Sequence, residues 1–369
     1  MVVEMMLYSY LGICVAMIIF NIVCIFAFRA SDKRLSTREA RFGVLIHKEL
    51  LRLEKEGAAS EKHRELLKKE LRRVGYLQAF DGALEKSNQS EAALAHYFAT
   101  YHDVFGQLAL YYKKKAPAKA AYFPYVMAKY KVLCDERHTL ILDTMYEYLH
   151  RDNFYCRNNA MNAIFSSDNI HMIVAALHYI EDDGMHYDEK LMTEGLLKHA
   201  TKHAAICQAL LDERSRFQVP MQQAIINFCR LSGEDFAAPI LAILKDEGTD
   251  DEVRFACMRY FGSHPCARAQ EVLVDLANAQ TATRWEYVSI ASKALARYKS
   301  EDVVHALKKN LCSSNWHVRQ NAAQSLANMG LAYGDLQDVF DGNDRYAREI
   351  MRYELEVREH KLAGGGQSA

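Results

Sequence analysis

Two stretches of this chain, 162 residues apart, constrain its fold more than anything else in it: NFYCRNNAMNAI at 153–164 and NWHVRQNAAQSL at 315–326. Phe154 falls over Trp316, Arg157 over Arg319, Asn159 over Asn321 and Ala160 over Ala322. Weaker copies lie between them. DEVRFACMRYF keeps the Val-Arg pair as Val253 and Arg254, RWEYVSIASKALA keeps Trp285, Ala291 and Leu295, and VPMQQAIINF keeps Ala224. The small residues then read Ala160, Gly195, Ala224, Cys257, Ala291 and Ala322, at steps of 29 to 35 residues. That period is the length of one helical hairpin, and hairpins that cannot bury their apolar faces alone must stack on their neighbours. An α-solenoid is the expected outcome.

A second amphipathic helix is expected in each unit: NIHMIVAALHYI, EDFAAPILAIL, AQEVLVDLA and EDVVHALKKNL, with Asp168, Glu234 and Glu301 placed as capping residues at their starts. Upstream, SEAALAHYFATYHDVFGQLALYY and HTLILDTMYEYLH read as hairpin helices without the repeat signature, as a capping end unit would. The closing GNDRYAREIMRYELEVREHKL reads as one helix with Tyr346, Ile350, Tyr353 and Val357 as its apolar stripe. Only five prolines and seventeen glycines in 369 residues agree with a helical chain.

The N-terminus carries a different signal. LYSYLGICVAMIIFNIVCIFAF, 7–28, has no charge in 22 residues. At about 1.5 Å per residue it matches the roughly 30 Å hydrocarbon layer, which predicts a transmembrane helix. A cleaved signal peptide is the competing reading, but Glu4 precedes the run and no Lys or Arg does. Arg29, Lys33, Arg34, Arg38 and Arg41 follow it, so the positive-inside rule places the N-terminus out and the body in the cytoplasm. The expected organisation is an extracytoplasmic 1–6, a transmembrane 7–28, a juxtamembrane helical 29–87 standing as a stalk or folded back, a solenoid over 88–341, a capping helix over 342–361 and a disordered tail over 362–369.

The pattern of an aromatic, Val-Arg, a small residue and a leucine four later resembles HEAT repeats, in particular the short bacterial type shared with phycobilisome lyase subunits. Trp316, Val318, Arg319, Ala322, Ala323 and Leu326 carry it best. The resemblance implies an all-α, right-handed α-solenoid of about six HEAT-type hairpins. The whole layout also resembles bacterial membrane-anchored HEAT-repeat proteins found alongside membrane glycosyltransferases. That implies a non-catalytic scaffold of the inner membrane that binds a protein partner, with a membrane glycosyltransferase of polysaccharide assembly as one candidate. Rival readings are a lyase-like HEAT protein that handles a small prosthetic group, and a sensor that flexes on ligand or lipid binding.

No catalytic or cofactor motif competes with this. GxGxxG, GxxxxGK, DxD and GxSxG are all absent. Nine cysteines without a CxxC pair suit reduced thiols rather than a disulfide framework or zinc. His199, His203 and Cys207 are spaced to line one helix face as metal ligands, but equally as part of an amphipathic helix, and no metal or cofactor is expected. A net charge of -1 gives no case for nucleic acid. Arg157, Arg254 and Arg319 are expected to bond an acidic residue or a helix end of the adjoining repeat, and Trp285 and Trp316 to pack between hairpins.

Two candidate binding surfaces remain. Tyr111, Tyr112, Lys113, Lys114 and Lys115, followed by Tyr122 and Tyr125, would face lipid head groups or a partner at the membrane-proximal end. A solvated basic helix end is the plainer reading of the same residues. The other surface is the inner row of second helices, with His171, His178, Lys245, His305, Lys308 and Lys309.

Overall fold

The structure, a computed structural model, describes residues 2–134, 139–184, 187–279 and 281–365, and every regular element among them is helical. In chain order these are α1 (Val2–Glu56), α2 (Glu61–Glu70), α3 (Val74–Lys86), α4 (Glu91–Thr100), α5 (His102–Lys113), α6 (Pro117–Ala120), α7 (Tyr122–Lys129), α8 (Thr139–Leu149), α9 (Phe154–Phe165) and α10 (Ile170–Asp182). They continue as α11 (Glu189–His199), α12 (His203–Asp212), α13 (Val219–Ser232), α14 (Ala237–Lys245), α15 (Asp251–Ser263), α16 (Ala267–Ala277), α17 (Thr281–Ala294), α18 (Glu301–Leu311), α19 (Trp316–Asn328), α20 (Gln337–Phe340) and α21 (Arg345–Gly365). Residues 366–369 of the expected tail lie outside the described residues. The chain divides into two compact units, 1–176 with 199–201, and 177–198 with 202–369.

In the first unit, α1 is one unbroken helix of 55 residues. Its N-terminal part is the one helix among the described residues long and apolar enough to cross a membrane, with a mean hydropathy of 2.8 and no buried residue in the most apolar window. Tyr10, Phe20, Phe26 and Phe28 are all exposed there. The C-terminal part changes character. Phe42, Ile46, Leu50 and Leu53 recur at helical spacing and are buried, because α3 packs along that face and α4 joins it. The 29–87 segment therefore folds back. α2 runs antiparallel to the end of α1: the backbone amide of Ser60 donates to Glu49 at 2.9 Å, and Arg41 pairs with Glu70 at 2.8 Å. Beyond it α2 packs on α5, α5 on α8, and α7 and α8 on α9.

The expected hairpin helix around Tyr97 to Phe105 is split at Tyr101, whose φ of -105° and ψ of 24° end α4 and start α5. Tyr97 and Tyr101 are fully buried, with the Tyr97 hydroxyl 2.7 Å from His63 Nε2 and the Tyr101 hydroxyl donating to Glu49 at 2.6 Å.

The second unit is more regular. α13, α15, α17, α19 and α21 pack in succession, each on the next, while α14, α16 and α18 each lie against the following member of that row. The small residues explain the close approach: Ala224, Cys257, Ala291 and Ala322 sit on these row helices and have no exposed surface. Ala160 is equally buried on α9 of the first unit. In α17 the backbone leaves helical geometry at Arg284 (φ -139°, ψ 40°), so the regular helix starts just before Trp285.

Several helix starts fall one residue from expectation. Asn169 caps α10 by accepting from the Met172 amide at 3.1 Å, and Ser300 caps α18 by accepting from Val303 at 3.4 Å. Asp168 instead adopts a left-handed φ of 50° and accepts from the Thr201 amide at 2.6 Å. Ahead of α14, Asp235 rather than Glu234 accepts from the Ala237 amide at 3.0 Å. The short amide, carboxylate or hydroxyl just outside the helix reaches the orphan amides better than a longer glutamate.

Candidate interaction surfaces

The repeat residues turn out to form a local device. Arg157 donates to the Arg151 carbonyl at 2.9 Å and Arg319 to the Ser313 carbonyl at 2.7 Å, each six residues back. Between donor and acceptor stands the helix cap, Asn153 in one copy and Asn315 in the other, accepting from Cys156 at 3.0 Å and from His317 at 2.9 Å. Arg348 repeats the geometry on the Gly342 carbonyl, with Asp344 as the cap, a copy the sequence comparison missed because the aromatic, the valine and the small residue of the pattern are replaced there. Arg254 differs and donates to the Leu244 carbonyl at 3.1 Å, at the end of α14. The arginines thus brace the loop that enters their own helix. Their contact with the next helix of the row is a ring: Arg254 lies 5.1 Å from Tyr287 and Arg319 lies 5.2 Å from Tyr346. The matched asparagines do cross to the preceding helices, Asn159 donating to the Ala121 carbonyl at 2.8 Å and Asn321 to the Ser289 carbonyl at 3.1 Å.

At the C-terminal end of the second unit the apolar stripe is not the expected one. Tyr346 and Tyr353 are 65% and 60% exposed, whereas Ala347, Met351 and Leu355 are buried. α19 packs against that second stripe, and Arg358 closes the join by donating to the Ala327 carbonyl at 2.9 Å and the Leu331 carbonyl at 2.8 Å. The stripe left over meets Trp316, itself 54% exposed, across a groove of about 450 Å³ that Arg319, Ile350 and Tyr353 also line. Trp285 is more covered and stacks on His317 at 5.6 Å. Phe154, which falls over Trp316 in the other copy, is 49% exposed in the first unit.

The lysine-tyrosine segment separates into distinct environments. Tyr112 is fully buried, donates to the Leu71 carbonyl at 2.7 Å and stacks on Phe123 at 5.4 Å. Lys113 pairs with Glu147. Arg151 donates to the carbonyls of Lys113 and Lys115 and so finishes α5. Tyr122 turns inward to Asp81, donating at 2.6 Å, beside Tyr125 at 5.5 Å between ring centres. Buried Asp81 also accepts from Lys129 at 2.8 Å and Tyr130 at 2.8 Å. Burial and these bonds to Asp81 push both the Tyr122 and Tyr130 hydroxyls well above the usual phenol range. Tyr111, Lys114 and Lys115 remain at the surface, with Tyr111 between Lys115 at 4.2 Å and Arg72 at 5.4 Å. Arg72 carried no signal in the sequence, since only folding brings α2's end to α5.

Half of the second-helix row is engaged. His178 is 2.6 Å from the Glu213 carboxylate and stacks on Phe217 at 4.2 Å. That bond comes first among the causes that hold Glu213 below the usual carboxylate range. Lys308 donates to Asp338 at 2.7 Å and to the Asp335 carbonyl at 2.9 Å, and Lys309 to Asn278 at 3.3 Å. His171, Lys245 and His305 are exposed. His199 and His203 belong to different helices, because the chain breaks over 200–202, so the spacing expected for one helix face does not exist. No cluster of three or more metal-ligating side chains occurs among the described residues.

No family model matches the chain, and no curated protein matches it.

Proposed function

We propose that this chain is a non-catalytic, membrane-anchored scaffold whose helical body is a right-handed α-solenoid of HEAT-type hairpins and binds a protein partner at the cytoplasmic face. The partner implied by the resemblance is a membrane glycosyltransferase of polysaccharide assembly. In this reading 7–28 crosses the inner membrane once with the N-terminus outside, and the cationic stretch after Phe28 keeps the body inside. The successive packing of α13, α15, α17, α19 and α21, and the recurrence of the cap-arginine device, support the solenoid.

One observation carries the binding role: α21 buries one apolar stripe and leaves the other, Tyr346, Ile350 and Tyr353, open beside Trp316. Tryptophan, tyrosine and arginine around one groove are the residue types that dominate protein interfaces. The test is affinity purification from native membranes with the intact chain and with Trp316→Ala/Tyr353→Ala. A stoichiometric partner recovered by the first and lost by the second is expected. Recovery of no such partner, or equal recovery by both, overturns the reading. The topology is tested separately by membrane-impermeant thiol labelling of Cys312, exposed in this fold, which should react only after the cells are opened.

A further inference from the structure

Two tyrosine rings in the first unit each hold two cations. Arg38 of α1 lies 4.3 Å and Arg73 5.9 Å from the Tyr76 ring; Arg72 lies 5.4 Å and Lys115 4.2 Å from Tyr111. Among the described residues none of these four cations takes part in an ion pair, although Arg41 and Lys86 nearby are paired with Glu70 and Glu39. Gathering like charges raises the energy of the fold, and the faces of the aromatic rings offset only part of it. An anion arriving at this cluster would relieve the repulsion.

Its position says which. α2 runs back along α1, so the turn after Glu70 comes level with Arg38, and the Tyr112 bond to the Leu71 carbonyl pins α5 to that turn. Arg38 is ten residues beyond Phe28 on the same unbroken helix, which at 1.5 Å per residue is about 15 Å. Head groups occupy roughly 5–7 Å beyond the hydrocarbon, and the field of anionic lipid reaches about one further screening length of 8 Å. Arginine side chains extending from the turn enter that zone. Between Phe28 and Arg38 the sequence adds Arg29, Lys33 and Arg34 against a single acid, Asp32.

We propose that the turn bearing Arg72 and Arg73, with Arg38, Tyr76, Tyr111 and Lys115, is a binding surface for anionic phospholipid head groups that seats the folded body on the bilayer entered by α1. This rests on the membrane reading above. Such a contact fixes the body's tilt on the bilayer, which a lone spanning helix does not.

The experiment footprints the full chain in vesicles of phosphatidylcholine alone and in vesicles that also carry phosphatidylglycerol, with phenylglyoxal for arginine and an acetylating reagent for lysine. Arg72, Arg73 and Lys115 should react about fivefold more slowly in the anionic vesicles. High salt should remove the difference. Lys62, at the opposite end of α2, should react alike in both. In Arg72→Gln/Arg73→Gln, at two exposed positions, the protection of Lys115 should shrink. A chain that alkaline carbonate strips from the vesicles sinks the membrane reading and this proposal with it. A carbonate-resistant chain whose three residues react equally in both vesicles sinks the proposal alone.

Discussion

Arg319 turns back on its own chain to donate to the carbonyl oxygen of Ser313, 2.7 Å away and six residues earlier. The bond ties the start of α19 to the loop that enters it, and the same arginine then presents its face to Tyr346 of α21 at 5.2 Å. The arginine expected to bond an acidic residue or a helix end of the adjoining repeat instead braces its own loop and meets the next helix through a ring.

Removing that joint should be measurable. Arg319→Met keeps the aliphatic stem and loses the donors, so a cost of about 1–2 kcal/mol in urea-induced unfolding is expected. Arg319→Lys lacks the forked geometry and should recover little of it. Unchanged stability in the methionine variant would show that the bond contributes nothing.

The two stripes of α21 should respond oppositely. Met351 is fully buried against α19, and Met351→Ala should cost about 2–5 kcal/mol. Tyr353 is 60% exposed, so Tyr353→Ala should fall within about 1 kcal/mol of the parent chain. Equal losses, read by thermal unfolding, would mean that the exposed stripe is packed after all.

Overpacking the small positions tests the close approach of the row helices. Ala291 and Ala322 have no exposed surface. Leucine at either is expected to destabilise by about 1–3 kcal/mol, lowering the melting temperature. A leucine accepted without loss at both would argue that these helices stand further apart.

His63 gives the first unit an acid-sensitive point. Burial holds its imidazole below the ordinary 6.5, although Glu49 pulls the other way. The unfolded chain therefore takes up a proton on this residue before the folded one does, and stability declines as pH falls from 6.5 toward the lowered folded value. The environment includes the Tyr97 hydroxyl at 2.7 Å, Tyr101 on α5's leading edge and Arg64 on the same helix. His63→Gln should flatten this part of a pH-stability profile. An identical slope in the variant would place the titration elsewhere.

The thiols should divide by burial. Burial pushes the Cys156 thiol up and the Cys257 thiol to about 12, and a bond with Cys207 together with burial pushes Cys229 up as well. Cys134 and Cys312 are exposed. Mass spectrometry after brief maleimide treatment should find those two modified first among the cysteines after Phe28, with the buried four reacting only in denaturant. Early modification of Cys257 would contradict the packing of α15.

The residue order alone was enough to mark one membrane-length apolar helix and an all-helical body. Each depends on a pattern within single helices, and the small residues Ala160, Ala224, Cys257, Ala291 and Ala322 are all fully buried. Tertiary structure decided what lies between elements. Two apolar stripes compete on α21, and the sequence pattern favours the larger aromatic one, yet α19 approaches the slimmer face of Ala347, Met351 and Leu355. Arg38 reaches Tyr76, and Arg72 reaches Tyr111, only because α2 folds back along α1 and packs on α5. Periodicity records which side chains share a face of one helix, while the neighbour that covers that face is fixed by packing over the whole unit.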